Sequence, residues 1–262
     1  MDPAMAAKIK QAVVNNFEQS PDVYQAFEDE FGFFHALTTE LIRPMSLPGQ
    51  AKVLDVGCGS GASIGPLLRA LPDGRIWGLD ISPAMLEKAR DKYGDEERVK
   101  LILGDAAQLT RYVDPGFDAV FYTASIFLIP DYVLSLQEAH GLLKDGGVAA
   151  ATFIDGIYDQ SDRNALAQAE ESAQTGISFK KPVVFDELKA AVKARFTLVE
   201  MRTVDFACSM PMLKAFYSIP AQSAGLYPKL DYQTRLDMIN RIFSLMPEEG
   251  LVFRWHILAG LK

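Results

Sequence analysis

The sequence predicts a doubly wound α/β fold: a parallel sheet with helices on both faces, closed by an antiparallel pair of strands. Three observations predict it. A short apolar run, Lys52 to Val56, turns through Gly57, Gly59 and Gly61 straight into a helix-like segment. From residue 51 to 154 short apolar strands alternate with helical patterns, the signature of right-handed βαβ crossovers. Near the end, Phe196 to Phe206 and Leu251 to Leu261 alternate as strands with helical periodicity between them.

In chain order, residues 8 to 47 read as helices. Ser20-Pro21 breaks one of these and starts the next, with Ser20 as cap and Pro21 at the first helical position. Phe27, Phe31 and Phe34 then form an apolar stripe that Gly32 interrupts. Leu47-Pro48-Gly49 links to the first strand, which is followed by a helix over about 63–71. Gly74 to Leu79 is the second strand and ends in Asp80; Ser82 caps the helix to Tyr93. Val99 to Leu103 is the third strand, ending in Gly104-Asp105-Ala106, and Phe117 to Tyr122 is the fourth. A helix over Asp131 to Leu143 and a turn at Lys144-Asp145-Gly146-Gly147 lead into strand five, Val148 to Ile154. Beyond it, Asp159 to Gln174 reads as a polar surface helix, and Asp186 to Ala194 as a helix capped by Asp186. Two segments are expected as separate units: an N-terminal helical cover (1–48), and a domain over 49–262 with a helical lid insertion at about 207–249.

Composition narrows the function. Of 262 residues, 49% are apolar and 23% charged, as in an ordinary globular chain. The net charge of −8 argues against nucleic acid and anionic membranes as partners, because phosphate binding needs a basic face. No apolar run approaches the roughly 18 residues of a transmembrane helix, and no signal peptide is read. Met1 to Met5 fits either a cloning remnant ahead of a native Met5 or a native start. Cys58 and Cys208 form no framework and suit a reducing, cytoplasmic compartment. Cys58 reads as a small residue in a tight turn; no metal is expected.

In such a sheet the ligand sits beyond the C-terminal strand ends. Glycines there let backbone N–H groups approach a ligand at a helix N-terminus. Gly57, Gly59 and Ala62 also fit the dinucleotide pattern G-x-G-x-x-A, so the turn alone leaves the cofactor open. Asp55 ends a buried strand, where a carboxylate without donors is costly; it serves either a ligand or the turn. Asp80, 23 residues after Gly57, is placed to accept from ribose hydroxyls, with Ile81 beside it for a base. Asp105 suits an exocyclic adenine amine, and Thr123-Ala124-Ser125 lets a ligand lie close.

Taken in order, Val53-Leu54-Asp55-Val56-Gly57-Cys58-Gly59-Ser60-Gly61, Gly78-Leu79-Asp80-Ile81-Ser82, Gly104-Asp105-Ala106, Phe117-Asp118-Ala119-Val120 and Leu142 to Gly147 resemble the motifs of class I S-adenosylmethionine-dependent methyltransferases. The likeness covers residues 50–155 and, loosely, the last dozen. It implies a Rossmann-like seven-stranded sheet whose last strand is antiparallel, and S-adenosylmethionine as cofactor. It implies that Asp55, Gly57 and Gly59 line the methionine part, Asp80 holds the ribose, Ile81 contacts adenine, Asp105 and Ala106 address its amine, and Thr123 lies under the methionine moiety. Phe17…Ser20…Tyr24 is similar to the lead-in of small-molecule members acting in quinone and biotin synthesis, where the tyrosine covers the cofactor; here Gln25 replaces the expected Asp.

The expected reaction is in-line methyl transfer to a small or medium organic acceptor. The alternatives are a nicotinamide-dependent oxidoreductase and a non-catalytic cofactor-binding protein. No fixed catalytic group is expected, since the methyl sulfonium is already electrophilic; His35, in the N-terminal cover, is the candidate base. Phe33, Phe34, Phe216, Tyr217 and Tyr227 are expected either to supply lid surface for an acceptor with apolar or aromatic parts or to pack on one another within a helical cap.

Overall fold

The computed structural model describes residues 2–173 and 183–262. Three helices come first: α1 (Pro3–Glu18), α2 (Pro21–Phe31) and α3 (Phe33–Ile42). Ser20 stands at the N-cap of α2 but makes no side-chain cap bond. Its hydroxyl donates to the Asn16 carbonyl at 2.7 Å and accepts from Ala221 N–H at 3.1 Å, so the residue joins the helical segments rather than capping one. Gly32 separates α2 from α3 at φ +58°, a left-handed turn with open space around it. The cap of α3 comes from the preceding helix: the Glu28 carboxylate accepts from Phe34 N–H and His35 N–H, both at 2.9 Å. Glu28→Ala leaves both helix donors unpaired and is expected to cost about 1–2 kcal/mol in urea denaturation.

The sheet has seven strands in the order β3-β2-β1-β4-β5-β7-β6. Its parallel half is β1 (Lys52–Val56), β2 (Arg75–Asp80), β3 (Val99–Leu103) and β4 (Phe117–Tyr122), with α4 (Ile64–Ala70) and α5 (Pro83–Tyr93) as crossovers. Val53 to Val56 are fully buried, as a central strand covered on both faces requires. The helix α6 (Tyr132–Leu142) leads into β5 (Leu143–Tyr158), which pairs parallel with β4. β5 is longer than its apolar run suggests. The turn expected at Lys144 to Gly147 forms a bulge at the strand's start, with a register shift against Phe117–Ala119 and Gly146 at φ +77°.

The last two strands are β6 (Thr197–Cys208) and β7 (Leu251–Leu261). β7 lies antiparallel to both β5 and β6, giving the expected reversed final strand. Ahead of β6 lie α7 (Ala165–Ser172) and α8 (Phe185–Lys193). α7 starts later than its composition suggests because Asp159 closes a local turn, accepting from Ser161 N–H at 2.8 Å and Arg163 N–H at 3.1 Å. Asn164 caps it instead, and Ala165, Leu166 and Ala169 are buried, so the helix is not purely a surface one; Gln174 lies outside the described residues. α8 begins after Val184, which puts Asp186 inside the first turn, next to the positive helix end, rather than at the cap.

Between β6 and β7 stand α9 (Met210–Ser218), α10 (Pro220–Leu226) and α11 (Tyr232–Phe243). Together with α2 and α3 they form one core with the ends of β5 and β7. The five aromatics expected as lid surface lie inside that core: Phe33 and Phe34 are 2% exposed, Phe216 1%, Tyr217 3% and Tyr227 2%. Phe33 stacks on Phe253 at 5.3 Å and meets Phe216 edge-on at 6.1 Å. Their burial serves the cohesion of the cap, because rings of this size are worth most against one another.

Candidate active site

One cavity opens at the C-terminal ends of β1 to β4, enclosing about 770 Å³ of empty space, open solvent at its mouth included. Each strand end supplies part of the wall: Gly57 and Gly59 after β1, Asp80 and Ile81 at β2, Asp105 and Ala106 after β3, Thr123 to Ser125 after β4. Tyr24 of α2 and Gln222 of α10 close the remainder, together with a stripe on α1.

The glycine turn is tied to β2. Gly57 N–H donates to the Leu79 carbonyl at 2.7 Å, and Gly59 N–H donates to Asp80 Oδ2 at 2.8 Å. Asp80 Oδ1 accepts from Ser82 N–H, also at 2.8 Å, at the start of α5. The acid is thus aimed by the turn and by the helix. Gly57 holds φ +77°, and a Cβ there would lie 2.5 Å from the Ser125 Cβ, so both backbone angle and space demand glycine. Ser125 Oγ donates to the Val56 carbonyl at 2.6 Å, which fixes the β4 end against the turn. Thr123 lines the cavity, and its buried Oγ1 has no hydrogen-bond partner among the described residues.

The sequence and the fold are similar to those of known proteins. Residues 53–147 match the family model described as a methyltransferase domain. Over 150 residues the chain is 34% identical to trans-aconitate 2-methyltransferase from Methylobacterium radiotolerans, covering 57% of this chain and 55% of that protein. It is 29% identical over 167 residues to demethylmenaquinone methyltransferase from Staphylococcus aureus, covering 63% of this chain and 66% of that one. The matched stretch thus spans less than two thirds of either relative. The fold superposes on YjhP from E. coli with a TM-score of 0.57 at 20% identity, covering 92% of this chain and 99% of that one. Residues 53–147 are thus similar to a methyltransferase domain, and the fold around them is the one such domains share.

Of the residues expected to hold a cofactor, Tyr24, Gly57, Gly59, Asp80, Ile81, Asp105, Ala106 and Thr123 all line this cavity. Asp55 does not line it. It is 0% exposed, its Oδ2 accepts from the Ser63 hydroxyl, and its Oδ1 has no hydrogen-bond partner among the described residues. Burial pushes its carboxyl up to about 7 against the pull of the Ser63 bond, and the neighbouring Asp80 charge adds to the rise. Because the folded pKa lies above the unfolded value of 3.8, the native state holds this proton longer than the unfolded chain. Its contribution to stability is therefore greatest below that value and falls as pH rises towards about 7. Asp55→Asn is expected to lose this decline, a difference on the order of a few kcal/mol between pH 4 and 7 in paired urea titrations.

His35, the candidate base, lies outside the cavity wall. It sits on α3 with its ring nitrogens against the Arg69 guanidinium of α4, and burial followed by that charge lowers its pKa. Tyr24 stacks on Phe34 with ring centres 4.7 Å apart. Its hydroxyl is raised well above the ordinary tyrosine value, by burial first and then by Glu28, Asp80 and Asp55, so it stays protonated. Burial also raises Cys58, the inert small residue its position suggests.

Sequence reasoning singled out Phe17 and a helical cover but missed Lys10 and Val13 of the same helix. Lys10, Val13 and Phe17 line the cavity. They fall at i, i+3 and i+7 of one helix, a spacing visible in the sequence. Lys10 Nζ meets Asp105 Oδ2 at 2.9 Å and Asp131 Oδ2 at 3.0 Å. Burial lowers the lysine, but these two partners outweigh it and its pKa ends raised.

Proposed function

We propose that this chain transfers the methyl group of S-adenosylmethionine to a small, largely apolar organic acceptor by in-line displacement. The observation that carries the reading is the convergence of the glycine turn, Asp80, Asp105 and the unpartnered Thr123 Oγ1 on one cavity at the strand ends. These groups fit the cofactor. The turn, without side chains at Gly57 and Gly59, lets a ligand approach the backbone closely. Asp80 offers carboxylate oxygens to a ribose diol, and Asp105 and Ala106 stand where an adenine edge would lie. Thr123 offers a hydroxyl to the amino-acid part. When bound, the cofactor supplies an electrophilic methyl on a positively charged sulfur.

The protein's own task is then alignment and exclusion of water. Val13, Phe17, Leu128, Ile129 and Pro130 supply an apolar wall for this. Tyr24 acts as a hydrogen-bond donor at the mouth, since its proton is held firmly. Residues 1–48 serve as a cover over this site, and the α9–α11 insertion as its support. Among the described wall residues the one cation, Lys10, already faces two carboxylates. That favours an uncharged acceptor over a polycarboxylate such as the one in the name of the first relative. Nothing in the molecule favours the nicotinamide alternative, and the antiparallel β7 departs from the parallel continuation such an enzyme would use. The acceptor class is tested with methyl-labelled cofactor and a panel of phenols, quinols, thiols and polycarboxylates. Transfer confined to the uncharged members is expected; transfer confined to polycarboxylates contradicts it.

A further inference from the structure

Helix α1 is fastened at both ends of the stripe it presents to the cavity, and it packs on α5 and α10. At its C-terminal end Glu18 Oε1 accepts from Ser82 Oγ at 2.6 Å and from Ala84 N–H at 3.2 Å, at the start of α5. At the other end Lys10 Nζ bridges Asp105 and Asp131. Asp131 makes the bridge notable. It stands at the N-cap of α6, where a carboxylate ordinarily accepts from first-turn N–H groups, yet its side chain makes no cap bond and turns to Lys10. Asp105 serves two donors at once. Its Oδ1 accepts from Ala107 N–H at 2.9 Å, while Oδ2 faces Lys10. A carboxylate has about four acceptor directions, so this one has room for an adenine amine as well.

We infer that Lys10 is the latch of the cofactor cavity: by bridging Asp105 and Asp131 it holds α1 across the site, and the cofactor enters and leaves when that bridge opens. The inference rests on the cofactor reading above. Lys10 is a positioning residue, acting through the helix it carries. The three charged side chains are only 22–30% exposed, so water weakens the bridge without dissolving it.

The latch is tested on the full chain with S-adenosylhomocysteine as probe, by stopped-flow association and displacement, and by amide hydrogen exchange of residues 3–18 without ligand. Lys10→Met and Asp131→Asn are each expected to speed both association and dissociation by roughly fivefold to tenfold. Asp131→Asn leaves Asp105 and its Ala107 bond in place, so it separates the latch from the adenine contact. Lys10→Arg restores the slow rates. Raising salt quickens the wild-type protein and leaves Lys10→Met unchanged. In the free protein the α1 amides exchange faster in both weakened variants. Unchanged rates and unchanged exchange overturn the latch. Faster exchange in a chain that takes up no S-adenosylhomocysteine keeps the fastening of α1 but overturns the cofactor reading on which its role depends.

Discussion

Asp80→Asn is expected to weaken S-adenosylhomocysteine binding by about 2–3 kcal/mol, roughly 30- to 150-fold in Kd, while the chain stays folded. The carboxylate is held from two sides, by Gly59 N–H and Ser82 N–H, each at 2.8 Å. Burial raises its pKa, and the backbone bonds to Ser82, Gly59 and Ile81 offset only part of the rise. A buried acid aimed by backbone donors is positioned to accept from hydroxyls without rearranging. Asparagine keeps the shape but turns an amide donor towards one of those N–H groups. The stability loss should therefore be modest, about 1 kcal/mol, against a much larger loss of affinity. Calorimetry and urea denaturation on the same preparation separate the two. Equal losses in both would mean that Asp80 serves only to hold the turn.

Gly57→Ala is expected to be the most damaging single methyl addition in the glycine turn. Its new Cβ meets the Ser125 Cβ at 2.5 Å while the backbone sits at φ +77°. Ser125 has nowhere to retreat, because its Oγ is bonded to the Val56 carbonyl. Together the strain and the overlap should cost about 3 kcal/mol or more, read as a fall in the urea midpoint. Two comparisons divide that cost. Gly32→Ala has a similar backbone angle but open space, so it should lose only about 1 kcal/mol. Adding Ser125→Gly to Gly57→Ala removes the overlap and should recover the larger share. No recovery would show that backbone strain alone sets the cost.

How much of this was legible follows from where the information lies along the chain. The parallel half is written locally: each strand is a short apolar run bounded by glycine, proline or an acid, and each strand end carries its own residue of the cavity wall. Asp80, Asp105 and Thr123 were therefore placed correctly relative to Gly57, since strand ends in a parallel sheet share one edge. Asp55 was assigned to the wall because a buried strand-end acid needs partners. It has one in Ser63, eight positions along and one helix start away. The aromatic residues of the cap mark the limit of the reading. Periodicity identifies an apolar face, but whether Phe33 and Phe216 face a ligand or each other depends on how α3 and α9 dock, and that is set by β7, far along the chain. Lys10 escaped for a similar reason. Its partners Asp105 and Asp131 are distant in sequence, and a lysine on an N-terminal helix carries no local mark of a bridge.

The central claim is that the strand-end cavity is an S-adenosylmethionine site. Titration calorimetry of the wild-type chain with S-adenosylhomocysteine, beside NADH and beside the Asp80→Asn variant, tests it most directly. One saturable site for S-adenosylhomocysteine, strongly weakened by Asp80→Asn and absent for NADH, is the predicted result. Binding of NADH in its place, or S-adenosylhomocysteine binding indifferent to Asp80, would contradict the account.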